Sequence, residues 1–299
     1  MGDLHEFYIT PQNTALVTIY SAQQADLSSI DGPKDGWIFE SSFQEIEIAT
    51  NKLIFQWNAT THVSIDETYN EMNGTGTQEA PFDWFHINSV EKDTNGDYLV
   101  SGRVMDCLYK VSGKDGSVIW RLQGKKSDFK VDPKANFALQ HDARWINDNT
   151  QDRLTLFSNG PTSTFGYSRG LLLAVDQNAK TATLITEFTN TAKTFGQFEG
   201  NLQAIDPSNT NTNYVLGYGS QQFFSELNYK GEVLLDVQFG MTNVVNSYRV
   251  YKSPWVGLPM TKPDIKWDKA GGMIYLSWHG ATEHERWVSI TYFPNDASN

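Results

Sequence analysis

Three of the six histidines in this 299-residue chain occupy related places. His5, His86 and His141 each stand where a short apolar run begins: Leu4-His5-Glu6-Phe7, His86-Ile87-Asn88-Ser89-Val90 and His141-Asp142-Ala143-Arg144-Trp145. Asn88 follows His86 by two residues, so on an extended strand it shares that face. Arg103 closes the neighbouring run Tyr98-Leu99-Val100-Ser101-Gly102. Three imidazoles, an amide and a guanidinium form a set of donors with one cationic fork, and carboxylates are scarce among these positions. Such a set suits an oxyanion such as sulfate or phosphate, with Arg103 making paired hydrogen bonds. A neutral imidazole also attacks electron-poor sulfur or phosphorus. Three histidines can hold zinc, but neither HxH nor HExxH spacing occurs, so neither a metal nor another cofactor is expected. A single histidine at a strand start is usually a hydrogen-bonded structural group; recurrence singles these three out.

The elements that must position them are strands. Segments such as Ala15–Tyr20, Tyr98–Ser101 and Tyr214–Tyr218 are short and rich in Val, Ile, Thr and aromatics. They are bracketed by turn chemistry, as at Thr94-Asn95-Gly96-Asp97, Gly113-Lys114-Asp115-Gly116, Lys230-Gly231 and Ala270-Gly271-Gly272. No segment sustains a 3.6-residue apolar period; the Asp66–Asn73 insertion could hold a short helix. The strands recur in groups of four, with starts near 5, 86, 141, 200 and 248. Four strands per repeat of roughly 40 to 60 residues is the pattern of a β-propeller, with the first strand of each blade on the axis. A β-sandwich, or a pair of them, is the competing architecture. The expected organisation is one all-β propeller domain over residues 1–299, with about five four-stranded blades visible.

Composition narrows the partners. The 23 basic and 35 acidic residues give a net charge of −12, which argues against nucleic acid or an anionic membrane, since both need clustered cations. Aromatics make up 13% of the chain and include nine Trp, as in a packed globular protein. No apolar run is long enough for a membrane-spanning helix. Cys107 is the one cysteine, which leaves no intrachain disulfide. No secretory leader is visible after Met1, although Asn58-Ala59-Thr60 and Asn73-Gly74-Thr75 read as glycosylation acceptors.

An ordered set of segments resembles the arylsulfotransferase family in its fungal-type branch. It comprises Leu4–Phe7, Asp83–Val90, Val100–Arg103, Leu139–Arg144, Gly200–Gln203, Gly219–Gln221 with Phe224–Glu226, Ser247–Val250 and Leu276–Glu283. It spans nearly the whole chain. The resemblance implies a six-bladed propeller, secreted in relatives, with a blade and leader before the His-Glu-Phe segment that this chain lacks. It implies transfer of a sulfuryl group between phenols without a nucleotide sulfate donor. The transiently sulfated histidine of the family matches His141, its sulfate-holding residues match His86, Asn88 and Arg103, and its remaining channel histidine matches His5. The partner implied is a small phenol or aryl sulfate. The alternative reading keeps the propeller and drops the transfer: an enzyme or binding protein for a small aromatic secondary metabolite, or a scaffold that binds protein on its rim.

Other residues carry weaker signals. Trp84, Phe85, Phe223 and Phe224 could form an aryl-binding wall, although aromatics in propellers commonly pack between blades. Arg249, beside the fifth start, is placed to reach the channel. His62, His279 and His284 read as loop or structural residues, and Cys107 as a small core residue. Gly200 and Gly219 suit close strand packing.

Overall fold

The computed structural model describes residues 2–146, 150–160, 166–242, 244–277 and 279–283. Within them the chain divides into two compact units, Met1–Lys252 and Ser253–Asn299.

The first unit holds four antiparallel meanders. The first sheet runs β1 (Gly2–Ile9), β2 (Thr14–Ala25), β3 (Gly36–Glu47) and β4 (Lys52–Asn58). The second runs β5 (Ile87–Lys92), β6 (Tyr98–Gly102), β7 (Cys107–Val111) and β8 (Val118–Gln123). A two-residue strand, β9 (Lys130–Val131), comes next in the chain. The third sheet runs β10 (His141–Trp145), β11 (Arg153–Ser158), β12 (Arg169–Asp176) and β13 (Thr181–Phe188), and β9 pairs in parallel with the outer edge of β13. The fourth runs β14 (Asn201–Ala204), β15 (Tyr214–Gly217), β16 (Phe223–Leu227) and β17 (Val233–Gln238). This is a β-propeller of four-stranded blades. In place of the expected helix, Ile65–Glu67 form a single 3-10 turn closed by a Ser64–Glu67 capping box.

The sequence dictates this stacking through its period of two. Leu171 and Leu173 of β12 face the second sheet, joining Leu108, Trp120 and Leu122, while Leu172 faces the fourth, joining Leu202 and Leu216. A sheet buried on both faces reads as a nearly unbroken apolar run, and Leu171-Leu172-Leu173 is such a run. A third cluster, with Phe43, Trp57, Val90, Val100 and Tyr109, fills the space between the first and second sheets. The hairpin turns pack as closely as the strands: a Cβ on Gly113 would lie 1.8 Å from the Gly96 carbonyl oxygen, so the two turns can stack only with glycine there.

The first strands of the sheets are linked in chain order. The Val90 N–H donates to Glu6 Oε2 (3.1 Å) and the Ala143 N–H to Ser89 Oγ (3.2 Å). Asn159 Nδ2 donates to the carbonyl of Glu199, just before β14 (2.8 Å). The ring is then completed by Tyr248–Lys252, which side-chain amides hold in place of a strand ladder. Asn201 donates to the Val250 carbonyl and accepts from its N–H (2.7 and 2.8 Å), and Gln203 does the same with Lys252 (3.0 and 2.7 Å). Arg249 returns to β1 through Glu6 and the His5 carbonyl.

The last repeat departs from the expected meander. Beyond Tyr248–Lys252, the described residues contain one hairpin in the second unit, β18 (Ile265–Asp268) with β19 (Met273–Leu276). Its β19 side chains are all exposed.

Candidate active site

The same irregularity recurs where the histidines stand. Pairing with the next strand slips between Gly2 and Phe7 in β1, between Ile87 and Ser89 in β5, and between His141 and Arg144 in β10. The fourth first strand, β14, carries no histidine and pairs without a slip. Bulges kink a strand and re-aim its side chains, and they gather beside active sites. His86 and Asp142 adopt φ of 55° and 53°, a conformation that costs a non-glycine residue on the order of 1–3 kcal/mol.

His5 and His86 meet. Their Nε2 atoms lie 3.2 Å apart and their rings contact edge to face at 4.8 Å. Behind each ring stands a carboxylate: His5 Nδ1 donates to Asp3 Oδ2 (2.6 Å) and His86 Nδ1 to Asp83 Oδ2. With both Nδ1–H groups so directed, the Nε2 atoms are hydrogen-bonded to each other only when one of them carries a proton. Tyr20 lies against both rings, and its hydroxyl donates to the Ile87 carbonyl (2.8 Å).

His141 completes the group. Its ring is buried and contacts Tyr248 edge to face at 6.5 Å, and Tyr248 in turn meets His5 at 5.9 Å. Asn159 Nδ2 is committed to the Gly196 and Glu199 carbonyls (2.9 and 2.8 Å), so its Oδ1 faces His141 and accepts from Nδ1–H (2.6 Å). The Glu199 N–H donates to His141 Nε2 (3.3 Å). Both bonds select the tautomer with its lone pair on Nε2. Burial first, then the positive charges of Arg103, His86 and His5, push the pKa of His141 well below its ordinary value. This favours a neutral ring with its lone pair on Nε2.

Arg103 stands in a 3-10 turn, Arg103–Met105, and its N–H is held by the His86 carbonyl (3.0 Å). Nη2 donates to the Gln197 carbonyl (3.3 Å). Polar atoms of this neighbourhood that are buried without a hydrogen-bond partner include Arg103 Nε, Asn88 Oδ1, Asp83 Oδ1, the Tyr248 hydroxyl and Glu199 Oε2.

Three expectations change. Carboxylates are not scarce: Asp3 and Asp83 support the two half-buried imidazoles, and Glu199 adjoins the third. They are absent from the matching strand positions because they lie outside the repeat, in the segments that lead into the bulges. Asn88 is not simply on the face of His86, because the slip at Ile87–Ser89 breaks the alternation; its Nδ2 goes to the Gln140 carbonyl (2.7 Å). Arg249 reaches the axis but is spent on closing it. It pairs with Glu6 (2.9 Å) and Asp142 (3.3 Å), as does Arg144 (2.6 and 2.8 Å).

The proposed aryl wall does not assemble around the imidazoles. Trp84 and Phe85 are fully buried in the core between the first two sheets. Phe223 and Phe224 lie on β16, the third strand of its sheet, where Phe223 borders an outer cavity with Asn190 and Asp236, and Phe224 stacks on Phe239. His62 stacks on Trp57. Burial in the core pushes the Cys107 thiol up. His279 belongs to the second unit, and His284 lies outside the described residues. Sequence reasoning did not find Asn159, Glu199, Tyr20 or Tyr248 as site residues. Asp3 and Asp83 leave a local trace, two and three residues before their histidines; Asn159 is 18 residues from His141 and leaves none.

Among the described residues no group of three or more His, Cys, Asp or Glu is disposed to hold a metal ion, and no helix is long and apolar enough to cross a membrane. A family model described as arylsulfotransferase (ASST) matches residues 1–240. No curated protein matches. Solved structures of similar backbone include a Bacteroides caccae protein of unknown function, 12% identical, with 79% of this chain and 69% of that one covered and a TM-score of 0.43. Another is the β-propeller domain of Myceliophteria thermophila Cps50 (Swd1), 8% identical, covering 75% and 60%, TM-score 0.37. A third is the Dos1 propeller, 11% identical, covering 77% and 50%, TM-score 0.31.

Proposed function

This chain belongs to the arylsulfotransferase family, and we propose that it moves a sulfuryl group between phenolic compounds through a sulfohistidine on His141, without a nucleotide donor. The observation that carries this reading is the two-sided hold on His141, which leaves the reactive lone pair on Nε2 of a buried, neutral ring. In the first half-reaction Nε2 attacks sulfur and the phenolate leaves. Arg103, with its Nε uncommitted, offsets charge on the sulfuryl oxygens, and His5 or His86 adds a donor when its Nε2 carries a proton. As Nε2 forms its bond to sulfur, the Glu199 N–H loses its acceptor and becomes a further donor to those oxygens. In the second half-reaction another phenol takes the group and frees His141.

His141→Ala is expected to abolish phenol release from 4-nitrophenyl sulfate, and donor alone is expected to add one sulfuryl group to wild-type His141, read by intact and peptide mass. Turnover by the variant at the wild-type rate would remove the mechanism.

The Asp3–His5 and Asp83–His86 pairs favour a second reading, acid–base chemistry on a small aromatic metabolite, because a carboxylate behind an imidazole fixes its tautomer and supports the charged form. Tight binding of a polyketide or terpenoid by a chain inert to every aryl sulfate would select it.

A further inference from the structure

Glu199 is a half-buried acid whose side chain the transfer scheme leaves unused. Its N–H lies 3.3 Å from His141 Nε2, so its carboxyl is rooted beside the bond that forms and breaks at sulfur. Its Oε2 is buried without a hydrogen-bond partner. Its backbone is held at φ 66°, a strained conformation for a residue with a side chain and one that collects at functional sites. Gly219 makes the room: a Cβ there would lie 2.4 Å from the Phe198 carbonyl oxygen and 2.7 Å from Glu199 Cβ.

We propose that Glu199 is the proton carrier of this site, giving a proton to the phenolate that leaves and taking one from the phenol that accepts. The role rests on the sulfuryl-transfer reading and extends its substrate class to phenols too basic to leave unaided. In the first half-reaction the S–O(aryl) bond breaks as the N–S bond to His141 forms; the electron pair goes to the aryl oxygen, which takes the Glu199 proton, and Glu199 is left as carboxylate. In the second, Glu199 removes the acceptor's proton as its oxygen attacks sulfur. The N–S bond breaks, and the site returns to neutral His141 and protonated Glu199. Burial raises the pKa of this carboxyl, the His5 charge opposing, which favours the acid form that the first step needs.

The test is rapid-quench phenol release from two donors, phenyl sulfate and 4-nitrophenyl sulfate, whose leaving phenols differ widely in basicity. Glu199→Gln keeps the backbone N–H. It is expected to slow release from phenyl sulfate by about 100-fold or more and from 4-nitrophenyl sulfate by under about ten-fold. Glu199→Gly, which suits the positive φ, is expected to regain release from phenyl sulfate when formate buffer acidified enough to hold formic acid is added, the acid standing in for the lost proton donor. Equal losses on both donors, no loss on either, or no response to formic acid overturns the role. A wild-type chain that releases phenol from neither donor overturns the transfer reading and this role with it.

Discussion

Two hydrogen bonds decide which nitrogen of His141 is free, and one of them depends on a single amide. Asn159 cannot turn over, because both carbonyls that its Nδ2 serves lie in the Gly196–Glu199 loop. Removing it as Asn159→Ala frees the ring to take either tautomer. Loss of such an orienting partner is expected to cost about 10- to 100-fold in phenol release, with kcat falling and KM little changed. The ring's acid behaviour is also fixed at this scale. Its folded pKa lies below the ordinary 6.5, so between those two values the unfolded chain binds a proton that the folded chain refuses. Stability therefore falls as pH drops below about 6.5, and the slope should flatten in His141→Gln, as measured by denaturant unfolding at stepped pH. The types and repeat positions of His5, His86 and His141 were legible in the sequence. Asn159 and Glu199 were not: Asn159 follows β11 as Arg103 follows β6, but with a different residue type, and each is defined by a partner distant in the chain.

At the scale of elements, the four meanders and the places where their first strands begin were also legible. Alternation and turn residues are local properties, and His86, His141 and Gly200 adjoin or open β5, β10 and β14. The bulges were not legible: they depend on the register of two strands, which a single strand's pattern does not state. Nor was the use of Asn201 and Gln203 as a surrogate ladder for Tyr248–Lys252. Asn201 is fully buried and satisfies both the donor and the acceptor of Val250. Asn201→Ala leaves those groups unpaired and is expected to cost about 2 kcal/mol, read as a fall in the urea midpoint at unchanged m-value. Gln203→Ala, whose bonds lie in an exposed setting, should cost less than about 1 kcal/mol.

At the scale of the whole molecule, the axis is closed by four charges from three parts of the ring: Glu6 from β1, Asp142 and Arg144 from β10, and Arg249 from the closing segment. The quartet lines a cavity of about 480 Å³ together with Tyr8, Trp145, Leu202 and Tyr251. Burial works against the Glu6 carboxylate, but the Arg144 and Arg249 charges outweigh it and hold the pKa below 4.5. Its contribution is thus fully present above pH 4.5 and is lost as pH falls through the folded value. Glu6→Gln leaves two guanidinium groups short of charge and is expected to destabilise by about 3 kcal/mol at neutral pH. The gap from wild type should narrow in acid, by thermal or urea unfolding.

The sequence by itself determined the strands of four sheets and their grouping by four, the apolar runs that press one sheet on the next, and the family. All of these follow from neighbours in the chain or from order along it. Only the tertiary structure decided what each polar side chain serves: that Arg249 pairs with Glu6 and Asp142, that Trp84 is core, and that carboxylates back the imidazoles. The reason is geometric. A ring of sheets gathers residues as far apart as Glu6 and Arg249 around one axis, and how much charge and hydrogen bonding each has left for a ligand is set by what its neighbours there have already taken.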